Sequence, residues 1–155
     1  MRREGPLAVL SYARADLPVV LALAWRLRDL GMRTGIDVEN LRAGETWQAA
    51  IQAAMRRSDA FVPCISAFSL KSTWASLELD TALAIGMPVV PVLLDPAAAP
   101  MLPRSLLRMR RIDAVGISPD ETAACVALRC ARHGRENGTA SRARTGDPWF
   151  HKPVL

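Results

Sequence analysis

A chain of 155 residues is long enough for one domain and too short for several. Half of it is hydrophobic and 23% is charged, which is too apolar for a disordered chain, and 9 Gly with 11 Pro exclude collagen-like and low-complexity classes. The net charge is +5, of which residues 1–133 carry only +3 (16 basic, 13 acidic side chains), too mild a balance to point to nucleic acid.

In chain order, strand and helix patterns alternate. Residues 6–12 (PLAVLSY) read as a first strand. Asp16 stands where the cap of a helix over 17–30 belongs, with Pro18 in its first turn and Gly31 just past its end. Residues 32–37 (MRTGID) make a weaker strand, followed by the polar loop VENLRAGE (38–45). A helix over 46–57 carries Trp47, Ile51, Ala54 and Met55 at helical spacing. Strand 60–65 (AFVPCI) contains Pro63, an unusual residue for a strand interior. Loop 66–72 leads to a helix over 73–85 that Gly86 ends, and 88–94 (PVVPVLL) is the clearest apolar run. A Pro-rich loop (95–103), a strand near 111–115 and a helix from 120 to about 133 complete the pattern. From Gly134 the composition turns polar and basic, so the domain is expected over 1–133 and a disordered or loosely docked tail over 134–155.

Five strands alternating with helices predict an α/β protein whose parallel sheet is covered on both faces. Several sites common to such folds are missing. The turn after the first strand is SYARAD, without the glycines of a dinucleotide-binding unit, and no P-loop occurs. Ser11-Tyr12 and Ile65-Ser66 stand where a phosphoacceptor domain needs acidic residues. There is no G-x-S-x-G elbow for a serine hydrolase. Cys125, Cys130 and His133 have the wrong spacing for a zinc site and read as two core thiols and a helix-terminal cation; no metal is expected. Arg104, Arg108, Arg110 and Arg111 read as a solvated patch. No apolar run reaches the roughly 20 residues a membrane span needs. The three cysteines form no disulfide framework, so a cytoplasmic location is expected.

Helix 73–85 carries the residue that a purely structural reading fits least. With Trp74 at zero and about 100° per residue, Thr81, Ile85, Ala82 and Glu78 fall on one stripe, while Ser76 and Asp80 face away. A carboxylate in an apolar stripe is costly unless paired. Two readings stay open: an ion pair or a place at the stripe's edge, and a catalytic carboxylate beside an aromatic wall. Placement bears on the choice. In a sheet ordered 2-1-3-4-5, ligands bind at the carboxyl edge between strands one and three. The SYAR turn, the Trp74–Glu78 helix and loop 38–45 all converge there.

Taken together, LSYAR (10–14), IDVENLRAGETW (36–47), SDAFVPCIS (58–66), STWASLELDTALAIG (72–86) and PVVPVLLD (88–95) resemble the Toll/interleukin-1 receptor (TIR) domain, over residues 6 to about 133. The likeness is to single-domain bacterial TIR proteins, and the 36–47 segment, the BB loop of that family, is similar to that of an NAD-cleaving animal adaptor. The resemblance implies a three-layer flavodoxin-like fold with a five-stranded parallel sheet in the order 2-1-3-4-5. It implies one of two modes: cleavage of NAD+ at the nicotinamide–ribose bond, giving nicotinamide and ADP-ribose or a cyclic or variant product, or a non-enzymatic TIR–TIR interaction module in signal transduction. In the enzymatic members a catalytic Glu follows a Trp by four residues, which assigns that role to Glu78 and the nicotinamide end to Trp74. It also places Ser11, Tyr12, Arg14, Asp37 and Leu41 beside the substrate and gives Gly44 the mobility of the BB loop. Trp47 is either a substitute for the ring expected at the loop's end or a core residue of the second helix. NAD+ is then a substrate, with no resident cofactor. The partners implied are NAD+ and a second copy or another TIR domain, with neither nucleic acid nor membrane. Lys71 departs from the animal enzyme, which has Cys there.

Overall fold

A computed structural model describes residues 5–36, 53 and 55–136. Strand β1 (Leu7–Ser11) is buried at all positions, as a strand covered on both faces should be. A 3-10 turn over Arg14–Asp16 feeds helix α1 (Leu17–Asp29), which buries Val20, Leu23, Ala24 and Leu27, a stripe at helical spacing. Gly31, at φ 87°, turns the chain out of α1 into β2 (Arg33–Ile36). Strand β3 (Ala60–Ile65) coincides with the expected span. It is followed by the one-turn helix α2 (Ala67–Leu70), helix α3 (Thr73–Ala84), strand β4 (Val92–Leu93), a 3-10 stretch (Pro96–Met101), helix α4 (Arg104–Leu107), strand β5 (Ile112–Asp113) and helix α5 (Pro119–Glu136).

The sheet order is β2-β1-β3-β4-β5 and every pairing is parallel, as expected. Side chains alternate between two cores. Ala8, Leu10, Val62 and Cys64 point to one, with Val20 and Leu27 of α1 and Val126 of α5. Val9, Phe61 and Ile65 point to the other, with Leu79 and Ala82 of α3, Leu106 of α4 and Met55. The sheet is thus the middle layer of three.

Several expectations are corrected. Strand β4 is two residues, not the seven of 88–94: Pro91 has no N–H to donate, and the β3 side, with Pro63, pairs only at the isolated bridge Phe61–Val89 and again from Cys64–Val92. Strand β5 is likewise shorter than 111–115, and α5 runs from Pro119 to Glu136, beyond the expected end near 133. Loop 66–72 contains a helical turn, and the Pro-rich loop is mostly 3-10. Cys125 is exposed; of the two thiols read as core residues only Cys130 is buried.

Candidate active site at the carboxyl edge of the sheet

Strands β1 and β3 are neighbours with Ser11 opposite Pro63, so their carboxyl ends open side by side. Beyond that point β2 and β3 flank β1 on opposite sides, which makes this the place where the chain's direction of travel across the sheet reverses. Ser11 is buried at the end of β1. Tyr12 is half-buried and packs on the core shared with α1 and α5, and Arg14 is exposed at the start of the 3-10 turn. Asp37, Leu41, Gly44 and Trp47 lie outside the described residues, as does the side chain of Trp74.

Glu78 sits in the second turn of α3, about 7 Å along the axis from its first residue. It is 2% exposed, between Ser76 and Asp80, both exposed, and shares its burial with Leu79 and Ala82. Of the expected stripe, Glu78 and Ala82 are buried and Thr81 and Ile85 half-buried, so the carboxylate lies inside the protein and not at a solvent edge. Oε2 is buried with no hydrogen bond from a described residue, although the side chain as a whole has a partner. A buried carboxylate held this way has weak competition from water for any positive charge brought near it.

Two polar residues that the sequence reading left out of the site stand at the same edge. Asp16 occupies the cap position of α1, but its side chain makes no capping bond. Its Oδ2 instead accepts a hydrogen bond from the Ser66 hydroxyl, which joins the start of α1 to the residue just after β3. Ser66 caps α2: its Oγ accepts from the Ser69 N–H (3.1 Å), while its own N–H donates to the Ser69 Oγ (2.9 Å). The signal was present as serines at 66, 69 and 72, a capping spacing, but with Ser in the place where Glu or Gln is usual. Asp16 is also felt below: the Cys64 thiol is pushed up to about 12, first by burial and then by the Asp16 charge.

The arginine patch is partly accounted for by local bonds. Arg111 pairs with Asp113 at 2.9 Å, and Arg129 donates to the Arg110 carbonyl oxygen. Among the described residues no three His, Cys, Asp or Glu side chains are grouped as metal ligands would be.

The model of a family described as the TIR domain matches residues 9–128. No curated protein matches the chain. Among solved structures, the crystal structure of the TIR domain of the Toll-related receptor TRR-2 from the lower metazoan Hydra magnipapillata is similar, with a TM-score of 0.61 at 20% identity over 85% of this chain and 98% of that one. At that identity the likeness is one of fold.

Proposed function

The chain belongs to the TIR-domain family, and we propose that within it the protein is an NAD+ glycohydrolase of the bacterial type, with Glu78 as its catalytic carboxylate. TIR domains include both NAD-cleaving enzymes and signalling adaptors. The observation that favours the enzyme is the burial of Glu78 in α3, on the helix that follows β3 at the switch of strand order.

The chemistry needs few groups. Nicotinamide is a positively charged substituent on the ribose and departs as a neutral molecule, taking the bonding electron pair, so no general acid is required. The ribosyl carbon left behind has oxocarbenium character, as in glycoside hydrolysis. A fixed carboxylate in a dry site stabilises that developing positive charge. Water then adds to the same carbon and loses a proton, giving ADP-ribose; attack by a group of the nucleotide itself gives a cyclic or variant product. Trp74 is assigned to the nicotinamide end, and Ser11, Tyr12, Arg14, Asp37 and Leu41 to the rest of the substrate. Gly44 and Trp47 are assigned to the BB-loop side of the same site. NAD+ is consumed, with no resident cofactor or metal. No helix among the described residues is long and apolar enough to cross a membrane, and with its free cysteines the protein is assigned to the cytoplasm.

The test is nicotinamide release from NAD+ at high protein concentration, with product analysis, for wild type and Glu78→Gln, both checked for folding by circular dichroism. Wild type is expected to turn over, and Glu78→Gln to lose on the order of 100-fold or more in kcat, the scale of removing one charge-stabilising group. Full activity in the folded variant refutes the role of Glu78. An inactive wild type turns the assignment to the second reading, an interaction module without turnover. Exposed apolar side chains favour that reading: Trp25 on α1, Phe68 on α2 and Leu128 on α5.

A further inference from the structure

We propose that Asp16, Ser66, Ser69 and Ser72 form a positioning relay that ties the start of α1 to the first turn of α3 and so fixes where Glu78 stands at the crevice. In its bearing on catalysis the proposal rests on the glycohydrolase reading.

The relay can be followed bond by bond. The Ser66 hydroxyl donates to Asp16 Oδ2. The Ser69 N–H donates to Ser66 Oγ at 3.1 Å. The Ser72 N–H donates to the Ser69 carbonyl at 3.1 Å. The Ala75 N–H, in the first turn of α3, donates to Ser72 Oγ at 3.3 Å. Four links therefore run from the turn after β1 to the helix that carries Glu78, with one serine in each step of three residues. Two of the stations are themselves helix caps, since Ser66 opens α2 and Ser72 opens α3.

Among the described side chains of α3 the buried apolar ones are Leu79 and Ala82, both in its second half. Helix α1, by contrast, places four apolar side chains in the core along its length. Among the described side chains of the first turn of α3, Thr73 and Ser76 are exposed and Ala75 is half-buried. The Ser72 cap constrains the axial position of that turn, and the cap is itself held in place. What holds it is Ser69, then Ser66, then a carboxylate on another element. Ser66 and Ser69 are buried, so these bonds meet little competition from water. A shift of about 1 Å in a reacting group costs up to about 100-fold in rate, so a relay that sets the helix sets the rate.

Two readouts test it, one of which is independent of NAD+. The first is native-state hydrogen exchange of the Ser69, Ser72 and Ala75 amides in the full chain. Asp16→Ala and Ser66→Ala are expected to speed their exchange at least about tenfold, while the Leu27 and Val126 amides, in the opposite core, keep theirs. Asp16→Asn retains an acceptor oxygen and is expected to restore the wild-type pattern. Ser69→Ala keeps both backbone links through position 69 and should have the smallest effect. The second readout is steady-state kinetics of nicotinamide release, where Asp16→Ala and Ser66→Ala should lower kcat about 10- to 100-fold with KM within about threefold. Together they should be no worse than either alone. Unchanged exchange at the three amides overturns the relay, as does an intact kcat with a raised KM, which makes Asp16 a substrate contact. If Asp16→Ala fails to fold, Ser66→Ala and Ser72→Ala, at the middle and far end, carry the same expectation. An inactive wild type defeats the glycohydrolase reading alone, because exchange still decides whether the relay exists.

Discussion

The three thiols differ in ways that their sequence spacing conceals. Cys64 is buried in β3, and its pKa is raised from 9.0 to about 12 by desolvation and the nearby Asp16 charge. Cys130 is raised from 9.0 to about 11, by burial and then by Asp59. Cys125 lies on the exposed side of α5. Because the thiolate is the reactive form, one equivalent of thiol reagent should react quickly at pH 8 and two only on unfolding. Rapid modification of two or three thiols in the native protein rejects this burial. The pH dependence follows from the same shifts. A pKa raised in the folded state means that folding favours the protonated thiol. The contribution is complete below about 9 and is lost as the pH rises towards 11 for Cys130 and 12 for Cys64. Melting temperature should therefore fall above pH 9, and Cys64→Ala, though less stable at pH 7, should fall less steeply. An equal slope in both proteins excludes Cys64 as a source. At this scale the sequence showed Glu78, because a carboxylate among Trp74, Ala82 and Ile85 breaks a pattern. It hid Ser66 and Asp16, because their bond joins residues 50 apart and each fits an ordinary turn taken alone.

Elements were legible in proportion to how local their causes are. Strand β3 and helix α1 follow from apolar runs with a clear stop, and the structure places them within a residue or so of the expected bounds. Strand β4 was overestimated because an apolar run says where a strand can be buried, not where backbone donors exist. Pro91 removes one donor, and the ladder to β3 resumes only at Val92. Strand β1 was legible to within a residue at each end, but what anchors the segment before it was not, because that depends on a backbone contact between distant residues. A Cβ added to Gly5 would sit 1.7 Å from the Gly31 carbonyl oxygen, against backbone with no side chain to move aside. The Gly5 carbonyl also accepts from Arg33 Nε at 3.0 Å, so the segment cannot simply lift away. Gly5→Ala should therefore cost at least about 1–3 kcal/mol in urea unfolding, in the range of overpacking a filled site. Gly116→Ala, strained in backbone but facing open space, is the comparison. A Gly5→Ala protein as stable as wild type rules the contact out. At the cap of α3, Ser72→Ala should cost about 1 kcal/mol on the same measurement, and no change means that the Ala75 amide is satisfied elsewhere.

For the whole molecule, strand order followed from the alternation of elements and from the resemblance together, and the crevice followed from strand order. The surfaces that a second molecule would use did not follow, since exposed apolar residues are scattered in sequence: Val19 and Trp25 on α1, Phe68 on α2, Leu107 on α4, Leu128 on α5. TIR domains typically interact with other TIR domains. If a neighbour completes the site of this chain, activity has a signature in concentration. Well below the dissociation constant the assembled fraction is proportional to protein, so a tenfold rise in protein should give about a tenfold rise in specific activity, and a plateau above it. A site complete within one chain gives a specific activity independent of concentration. The measurement is initial nicotinamide release over at least three decades of protein, beside sedimentation velocity on the same samples. A rise in specific activity that tracks the sedimenting oligomer supports activation by assembly. A flat profile with a monomeric boundary places the whole site within one chain, and the relay from Asp16 to α3 would then operate without a partner. Mixing in Glu78→Gln sharpens the distinction. If a neighbour contributes only its surface, folded but inactive Glu78→Gln molecules should raise the rate of dilute wild type, whereas an independent site is indifferent to them.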